Sequence, residues 1–237
     1  MSLLVVQNVS KHFGGFTALA GVSLDIAQGE RFGLIGPNGS GKTTLINCIA
    51  GALRNDSGSI QFKKLEISKL PAYRRTRLGI ARSFQIPRPF HTMSVLENLL
   101  VPLAYVVHLG EAEGEAAAME ILAGIGLADK AHGAASQLSQ VELRKLELAR
   151  AMAARPQLLI SDEAMAGLSG SEVDEVLKIL FELNARGITI IMIEHIMHAV
   201  MRFSQRVVCL DAGKIICEGT PASIVQNGDV QRAYLGA

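Results

Sequence analysis

The stretch GPNGSGKT, residues 36–43, decides how the rest of the chain is interpreted, because it joins two kinds of secondary structure. Before it, residues 32–35 (FGLI) form a short apolar run that is typical of a buried strand. After it, residues 44–50 (TLINCIA) indicate a helix, which ends at Gly51. A strand, a glycine-rich loop and a helix in this order fit the pattern G-x-x-x-x-G-K-[ST] of phosphate-binding loops.

The residue types in this loop suit a chain of phosphates. Glycines let backbone N–H groups wrap around phosphate oxygens, and the helix N-terminus adds a partial positive charge. Lys42 is expected to reach the β- and γ-phosphates of a nucleotide, and Thr43 to give an oxygen to Mg²⁺. The candidate nucleotide-binding residues of the loop are Gly36, Pro37, Asn38, Gly39, Ser40, Gly41, Lys42, Thr43 and Thr44.

Two further apolar runs end in residues that can carry chemistry. Residues 158–163 (LLISDE) predict a strand that ends at Asp162, a candidate Mg²⁺ ligand, and Glu163, which could polarise a water molecule. The alternative is that Asp162 only caps a helix. Residues 188–193 predict another strand, followed by His195, which could bond a γ-phosphate or simply be packed or exposed. A metal pair of His195 and His198 is formally possible, but nothing else in the sequence supports it.

The order of strand and helix signals predicts an α/β fold with a P-loop NTPase core and a mainly parallel sheet. Runs at residues 3–6 and 22–26, separated by two glycines, predict an N-terminal antiparallel β subdomain, and residues 207–216 predict a late hairpin. Helix signals dominate from about residue 92 to 154, with a capping box at Ser94 and Glu97. We expect a single domain over 1–237, with a catalytic core at 1–86 and 138–237 and a helical subdomain inserted at 87–137.

The composition is that of a globular domain, since 49% of the 237 residues are hydrophobic. The formal net charge of +1 gives no global field that would attract nucleic acid or a membrane. Three cysteines are too few for a disulfide framework and indicate buried, reduced thiols. We expect no signal peptide, because the N-terminus lacks a basic start and a long apolar run. The longest apolar stretch, residues 99–107, is far shorter than the ~20 residues of a spanning helix.

These features, in this order, resemble the ATPase subunits of ABC transporters over nearly the whole chain. Several segments resemble more closely the branched-chain amino-acid importers of that family: RRTRLGIARSFQ (74–85), SVLENL (94–99), LELARAM (146–152), IIMIEH (190–195), GKIICEGTP (213–221) and QRAYLGA (231–237). The resemblance implies an enzyme that binds ATP and Mg²⁺, hydrolyses ATP to ADP and phosphate, and powers an importer of branched-chain amino acids or similar small polar solutes. It also implies a peripheral position at the cytoplasmic face of the inner membrane. The implied partners are transmembrane permease subunits, a second ATPase subunit and a solute-binding protein that acts through the complex.

The resemblance also implies roles for individual residues. Phe13 would stack on adenine, and Gln85 would sense Mg²⁺ and link the core to the helical insert. Glu163, His195 and Gln85 would be the catalytic residues, and Thr43, Gln85 and Asp162 would hold the metal. Three positions differ from the residues common in the family, and we interpret them as neutral: Ala164, Ser169 and Ile196.

The largest departure lies at residues 138–142 (LSQVE), where the family usually has LSGGQ at the start of a helix. In the family this helix end faces the γ-phosphate held by a second subunit, and its glycines allow close approach. Ser139 remains and is the candidate nucleotide contact, and with Glu142 it predicts a capping box. The Glu142 carboxylate would repel a phosphate, by about 4 kcal/mol for two unit charges at ~4 Å and an effective dielectric of 20. We therefore expect a heterodimer with an intact partner ATPase rather than a homodimer.

Alternatives remain at this point. A soluble ABC-type ATPase that acts on nucleic acid or ribosomes usually carries two ATPase units or a long coiled coil, and the chain shows one phosphate loop and no heptads. A regulatory ABC subunit with little turnover is favoured by the degenerate signature and opposed by Glu163 and His195. Residues 63–88 are rich in Lys and Arg, which indicates a solvated face or one near anionic lipid rather than a nucleic-acid site, since no aromatic residues are interleaved. We expect no nucleic-acid partner.

Overall fold

The computed structural model describes residues 1–84 and 87–235 and contains two β-sheets. The strands are β1 (Ser2–Phe13), β2 (Phe16–Ala27), β3 (Arg31–Ile35), β4 (Ser57–Phe62), β5 (Leu65–Glu66), β6 (Ile80–Ser83), β7 (Leu158–Asp162), β8 (Thr189–Ile193), β9 (Arg206–Asp211) and β10 (Lys214–Gly219). The helices are α1 (Lys42–Ala50), α2 (Ala72–Leu78), α3 (Val95–Pro102), α4 (Glu111–Gly124), α5 (Gln140–Ala153), α6 (Gly170–Ala185), α7 (Met197–Phe203), α8 (Pro221–Gln226) and α9 (Gly228–Leu235).

The smaller sheet has the strand order β2-β1-β4-β5, and its neighbouring strands are antiparallel. β1 and β2 form a long hairpin whose turn is at Gly14 and Gly15, where Gly14 has a positive φ of 57°. This confirms the antiparallel N-terminal sheet that the glycine-separated runs predicted.

The larger sheet has the strand order β10-β9-β3-β8-β7-β6 and is parallel except for the β9–β10 hairpin. The predicted mainly parallel sheet is therefore confirmed. Ile193 lies opposite Leu34 on one side and Asp162 on the other, so β3, β8 and β7 end at the same level. Ligands of open α/β sheets bind at the carboxyl ends of such strands, and the residues that follow these three strands meet there.

Both faces of the larger sheet are buried at its central strands β3, β8 and β7, which is why these strands are mostly apolar. In β8, Ile191 and Ile193 contribute to the core between the two sheets, whereas Ile190 and Met192 contribute to the core on the opposite face. Helix α1 supplies four buried side chains to the core between the sheets: Leu45, Ile46, Cys48 and Ile49. The phosphate loop is thus fastened to a helix that is packed between two sheets.

Helices α3 and α4 lie between β6 and α5 in the chain, and a π-helical segment (Leu103–Val107) continues α3. Leu99 of α3 and Leu122 of α4 belong to the same hydrophobic cluster as Leu146 of α5. The capping box predicted at Ser94 and Glu97 is confirmed, with both reciprocal hydrogen bonds present. This packing fixes the position of the helices relative to α5.

Arg75 corrects the expectation that residues 63–88 form one solvated basic face. Its side chain is buried, and its guanidinium donates to the carbonyl oxygens of Cys48 (2.5 Å) and Ile49 (2.8 Å) at the end of α1. A cation there satisfies carbonyl groups that a helix end leaves without partners. Arg75 is therefore a structural residue of α1, and Arg82 is also drawn away from the surface, as described below.

Candidate nucleotide-binding site

The glycine-rich loop lies between β3 and α1, at the carboxyl edge of the larger sheet. Lys42 is buried at the start of α1, and its Nζ donates to the carbonyl oxygens of Gly36 (2.6 Å) and Pro37 (3.0 Å). Burial lowers the pKa of Lys42, and the nearby carboxylates of Glu163 and Asp162 oppose this shift. The loop backbone therefore holds the ammonium group in place at a site that also contains negative charge.

Two glycines of the loop show that the residues present fit a phosphate chain. Gly36 has a φ of 146°, and a Cβ there would lie 2.1 Å from the carbonyl oxygen of Leu210. Gly41 has a φ of 106°, and its Cβ would lie 2.6 Å from the carbonyl oxygen of Ala18. Because no side chain fits at either position, both glycines are needed for the tight backbone path before α1, and the N-terminus of a helix is a place where an anion can bind.

Thr43 and Asp162 line one cleft of about 280 Å³, together with Asn47 of α1. The carboxylate of Asp162 is buried at the end of β7. A hydroxyl and a carboxylate are the oxygen donors that Mg²⁺ prefers, and it usually takes only one or two protein ligands beside phosphates. Residues 1–84 and 87–235 contain no cluster of three or more His, Cys, Asp or Glu that could hold a metal. Gln85, the third predicted ligand, lies outside the described residues.

Glu163 and His195 come together although they are far apart in the sequence. Glu163 has a φ of 48°, a conformation that is uncommon for a residue with a side chain, and its N–H donates to the carbonyl oxygen of Ile193 at 2.8 Å. Nε2 of His195 lies 2.8 Å from Oε1 of Glu163, a hydrogen bond in which the carboxylate accepts. The histidine can therefore orient the carboxylate, and a carboxylate held in this way is able to act as a base toward water.

Phe13 lies at the tip of the β1–β2 hairpin and is 48% exposed. The ammonium group of Lys11 lies 5.5 Å from the centre of its ring. Phe16, directly opposite in the hairpin, is 62% exposed and was not singled out from the sequence. An exposed ring is able to stack on a purine, and the hairpin offers two of them, of which Phe13 has a cation beside it.

Ser139 is the N-cap of α5, as its pairing with Glu142 predicted. The N–H of Ser139 donates to Oε2 of Glu142 at 2.9 Å, and the N–H of Glu142 donates to the Ser139 hydroxyl at 3.4 Å. The sequence did not reveal the partner of the other carboxylate oxygen, which accepts a 2.5 Å hydrogen bond from Lys130. This hydrogen bond and the one from Ser139 lower the pKa of Glu142, so the acid stays ionised but is paired with a cation.

Three further residues contact the site and were missed because their partners are distant in the sequence. Arg82 of β6 donates to Oδ2 of Asp162 at 2.5 Å. The hydroxyl of Tyr234, in α9, accepts a hydrogen bond of 2.8 Å from the N–H of Gly36. Oε1 of Glu194 accepts a 2.9 Å hydrogen bond from the N–H of Met165 in the loop after β7. Glu194 directly precedes His195, and Arg82 is three positions before Gln85, but neither contact could be inferred without the strand order.

Among the acids near the site, Glu194 has a strongly raised pKa. It is buried directly before His195, and burial raises its pKa to about 7 from an ordinary value of 4.5. The charge of Glu163 acts in the same direction, whereas the Met165 N–H and the charge of Arg144 lower the pKa. Its hydrogen bond from the Met165 N–H connects the loop after β7 to the segment that carries His195.

A mainly apolar groove of about 370 Å³ lies beside the cleft of Thr43, Asn47 and Asp162, here called the metal-side cleft. Charged residues also line the groove: Arg82, Arg88, Glu147 and Arg150. Its walls include Ala72 and Thr76 of α2, Phe90, Tyr105 of the π-helical segment and Ala151 of α5.

Within the described parts of the chain, no helix combines the length and the hydropathy that crossing a membrane requires.

Comparison with known proteins identifies relatives along the full length. The ABC transporter family profile matches residues 19–166, and a profile described as branched-chain amino acid ATP-binding cassette transporter matches residues 214–237. The high-affinity branched-chain amino acid transport ATP-binding protein LivG of Salmonella typhimurium is 39% identical, over 99% of this chain and 98% of LivG. The lipopolysaccharide export system ATP-binding protein LptB of Haemophilus influenzae is 33% identical, over 100% of this chain and 98% of LptB.

A solved structure agrees with these relatives. It is an ATP-binding cassette of an ABC transporter in its ADP conformation, and it has 33% sequence identity and a TM-score of 0.91. The alignment covers 100% of both chains. The similarity therefore extends over both sheets and the helices between them.

Proposed function

Because the chain belongs to the ATP-binding proteins of the ABC transporter family and hydrolyses ATP in support of transport, we propose that it powers an importer of branched-chain amino acids or similar small polar solutes. The observation that carries the substrate proposal is the 39% identity with LivG over almost the whole chain. The C-terminal match to the branched-chain profile supports it from a second part of the sequence.

We assign nucleotide binding to the phosphate loop, with Lys42 pairing with the β- and γ-phosphates and Phe13 stacking on adenine. The buried position of Lys42 supports this role, because a cation screened little by water attracts phosphate strongly. Thr43 and Asp162, with Gln85, would hold Mg²⁺. When bound, the metal neutralises charge that develops on the phosphates.

We assign hydrolysis to Glu163, with His195 as the residue that orients it. The Glu163 carboxylate accepts a proton from water as the water oxygen attacks the γ-phosphorus and the bond to the β-phosphate oxygen breaks. The 2.8 Å contact between the two side chains supports this division of roles. Catalysis then depends on how well the carboxylate and the water are positioned.

Binding and hydrolysis can be separated by two substitutions. Lys42→Ala should weaken ATP binding by at least about tenfold, because it removes a buried cation from the phosphate site. Glu163→Gln should bind ATP normally and hydrolyse it very slowly. A titration with equal ATP affinity for wild type and Lys42→Ala, or an active Glu163→Gln variant, contradicts the assignment.

The LSQVE segment supports a dimer of two different ATPase subunits. An ABC ATPase dimer has two nucleotide sites, each formed by the phosphate loop of one subunit and the signature helix of the other. Gln140 and Val141 add side chains where close backbone approach is needed, and Glu142 adds a carboxylate that Lys130 only partly offsets. With an intact partner signature, the site on Lys42, Asp162 and Glu163 turns over, and the partner's nucleotide turns over slowly.

The dimer proposal is tested by steady-state ATPase activity against protein concentration. The isolated wild type should show little activity and little ATP-dependent dimerisation. The triple variant Gln140→Gly, Val141→Gly, Glu142→Gln should be faster as a homodimer, although it loses a cap worth ~1 kcal/mol to α5. Vigorous, concentration-dependent turnover by the wild type would show that LSQVE is a working signature.

We propose that transmembrane permease subunits dock on the apolar groove and on the helical insert assigned to residues 87–137, with the core at 1–86 and 138–237. Docking would hold the chain at the cytoplasmic face of the inner membrane, and a solute-binding protein would act through the same complex. The groove supports this because apolar clefts with aromatic walls accept protein side chains well. The chain should pellet with vesicles that contain the permease and stay in solution with bare lipid vesicles. Pelleting with both would refute this placement.

A second candidate is a regulatory ABC subunit with little turnover of its own, which the LSQVE segment favours. The 33% identity with LptB supports a third candidate, a transporter that moves a different substrate outward. Uptake of radiolabelled leucine by cells that lack and regain the chain distinguishes these from the leading proposal. Restoration of uptake by the wild type but not by Glu163→Gln supports the importer.

A further inference from the structure

Arg82 lies where β6 passes beside the end of β7, within the basic stretch that was expected to face solvent. β6 is the edge strand of the larger sheet and pairs with β7 in parallel, with Arg82 opposite Ile160. Its side chain is only 12% exposed, and that of Asp162 is 9% exposed. The two opposite charges therefore meet in a place that water reaches poorly.

The guanidinium of Arg82 is fixed by several groups. Nη2 donates to Oδ2 of Asp162 at 2.5 Å, and Nη1 donates to Oδ1 of Asn47 in α1 at 2.6 Å. The ring of Phe84 lies 5.1 Å from the guanidinium carbon. Because contacts from α1, β7 and the segment after β6 converge on it, the cation has a defined position.

Asp162 is the carboxylate that the proposed function gives to Mg²⁺, and Thr43 lines the same cleft as Arg82. A metal that approaches Asp162 meets a carboxylate already paired with a cation, and the two positive charges repel each other. Conversely, a nucleotide that arrives without metal meets a neutral ion pair and not a bare buried anion. The same guanidinium thus disfavours Mg²⁺ and favours the phosphates.

We propose that Arg82 is a positioning residue that sets how strongly nucleotide binding depends on Mg²⁺, by sharing Asp162 with the metal. The inference rests on the proposed function, because it takes Asp162 as a metal ligand. Sequence gave no indication of it, since Arg82 looked like one of several surface cations. In chemical terms, Arg82 is a fixed counter-cation of Asp162, the carboxylate proposed to bind the metal.

The test is equilibrium binding of ATP to the purified chain over a range of MgCl₂ concentrations, including none with EDTA. Arg82→Met leaves Asp162 without its cation, so the affinity for metal-free ATP should fall by about tenfold or more. The Mg²⁺ concentration that produces half of the change in ATP affinity should decrease. Arg82→Lys keeps the charge but has a single nitrogen in place of the two that contact Asn47 and Asp162, so both quantities should lie between those of the wild type and of Arg82→Met. The matched control is Arg77→Met, which removes an exposed arginine of α2.

A second comparison, between two variants that both carry Asp162→Asn, covers the case in which Arg82→Met does not fold. Asp162→Asn leaves Arg82 as an unpaired cation and should bind metal-free ATP more tightly than the wild type. The double variant Arg82→Met, Asp162→Asn has no unpaired buried charge and should lose this gain. The difference between these two proteins measures the effect of the cation even if Arg82→Met alone is unfolded.

Two results would overturn the inference. One is an Arg82→Met variant whose ATP affinity changes equally with and without Mg²⁺, since a general structural defect has no metal dependence. The other is a Mg²⁺ dependence identical to that of Arg77→Met. If the wild type itself binds no ATP, the proposed function fails instead, and the two failures are thereby distinguished.

Discussion

Glu142 changes both the stability and the charge of a helix end. It closes the capping box with Ser139, which is worth about 1 kcal/mol to a helix. Its pairing with Lys130, which is 44% exposed, contributes less than about 1 kcal/mol because water screens it. The residue therefore stabilises α5 locally while it places a carboxylate at an end that favours anions.

Lys130 and Glu142 should act in opposite directions on nucleotide-dependent association. Both variants are made in a Glu163→Gln background. Glu142→Gln removes the negative charge and should strengthen ATP-dependent self-association by about several-fold. Lys130→Met leaves the charge of Glu142 without its cation and should weaken self-association by about several-fold. Sedimentation velocity with and without ATP measures the effect, and Lys69→Met, at another exposed lysine, is the control. Shifts in the same direction for both variants would exclude the electrostatic explanation.

Glu194 should make stability depend on pH near neutrality. Its pKa is raised to about 7 in the folded protein from an ordinary 4.5, so the folded state binds a proton that the unfolded state releases. Stability is therefore lost as pH rises through this window, by up to about 3 kcal/mol above pH 7. Glu194→Gln cannot ionise, so its stability relative to the wild type should improve between pH ~5 and pH ~8. Urea unfolding at both pH values measures the change, and a constant difference would refute it.

At the scale of secondary-structure elements, the phosphate loop depends on the C-terminal helix. Gly36 is buried between β3 and α1, and the acceptor for its N–H is the Tyr234 hydroxyl of α9. Burial raises the pKa of Tyr234, and the hydrogen bond from Gly36 opposes that shift. A helix near the end of the chain thus completes the hydrogen bonding of the loop that begins the nucleotide site.

Tyr234→Phe should therefore weaken the loop while the aromatic ring is kept. It leaves the buried N–H of Gly36 without this acceptor, at a cost of about 1–3 kcal/mol in stability. ATP affinity should fall as well, because the backbone of the phosphate loop is less well fixed. Thermal unfolding and ATP titration give the two readouts, with Tyr105→Phe, at a tyrosine that is 72% exposed, as the control. Equal behaviour of the two variants would show that the Tyr234 hydroxyl is dispensable.

At the scale of the whole molecule, the metal-side cleft and the apolar groove are adjacent. Arg82, Phe84, Arg88 and Ala52 line both. The nucleotide site and the proposed permease site are therefore separated by the thickness of a few side chains. This proximity suits transport coupled to ATP, because a displacement of the shared side chains at one site also changes the other site.

Tyr105→Glu should separate docking from nucleotide binding. A carboxylate in an apolar groove costs desolvation when a partner covers it, so permease association should weaken by at least about tenfold. ATP affinity should be unchanged, because Tyr105 is on the groove side only. Co-purification with the permease is the measurement, and Tyr73→Glu, at an exposed tyrosine that the groove does not include, is the matched control. Normal co-purification of Tyr105→Glu would exclude the groove as the docking site.

The sequence by itself determined the features that depend on neighbouring residues. The phosphate loop, the apolar strand runs, Gly51 after α1 and the capping boxes at Ser94 and Ser139 involve groups within a few positions of one another. Their geometry follows from backbone preferences and short hydrogen bonds that the chain forms in any fold containing that strand or helix. Such features could be predicted before the fold was known.

Only the tertiary structure decided which distant groups share a charge or a hydrogen bond. Arg82 and Asp162 are 80 positions apart, and Gly36 and Tyr234 are 198 apart. Whether such residues meet depends on strand order and on packing between sheets and helices, and many sequence-compatible arrangements would keep them separate. For the same reason Arg75 looked like a surface cation and is buried, because burial is a property of the assembled core and not of the local sequence.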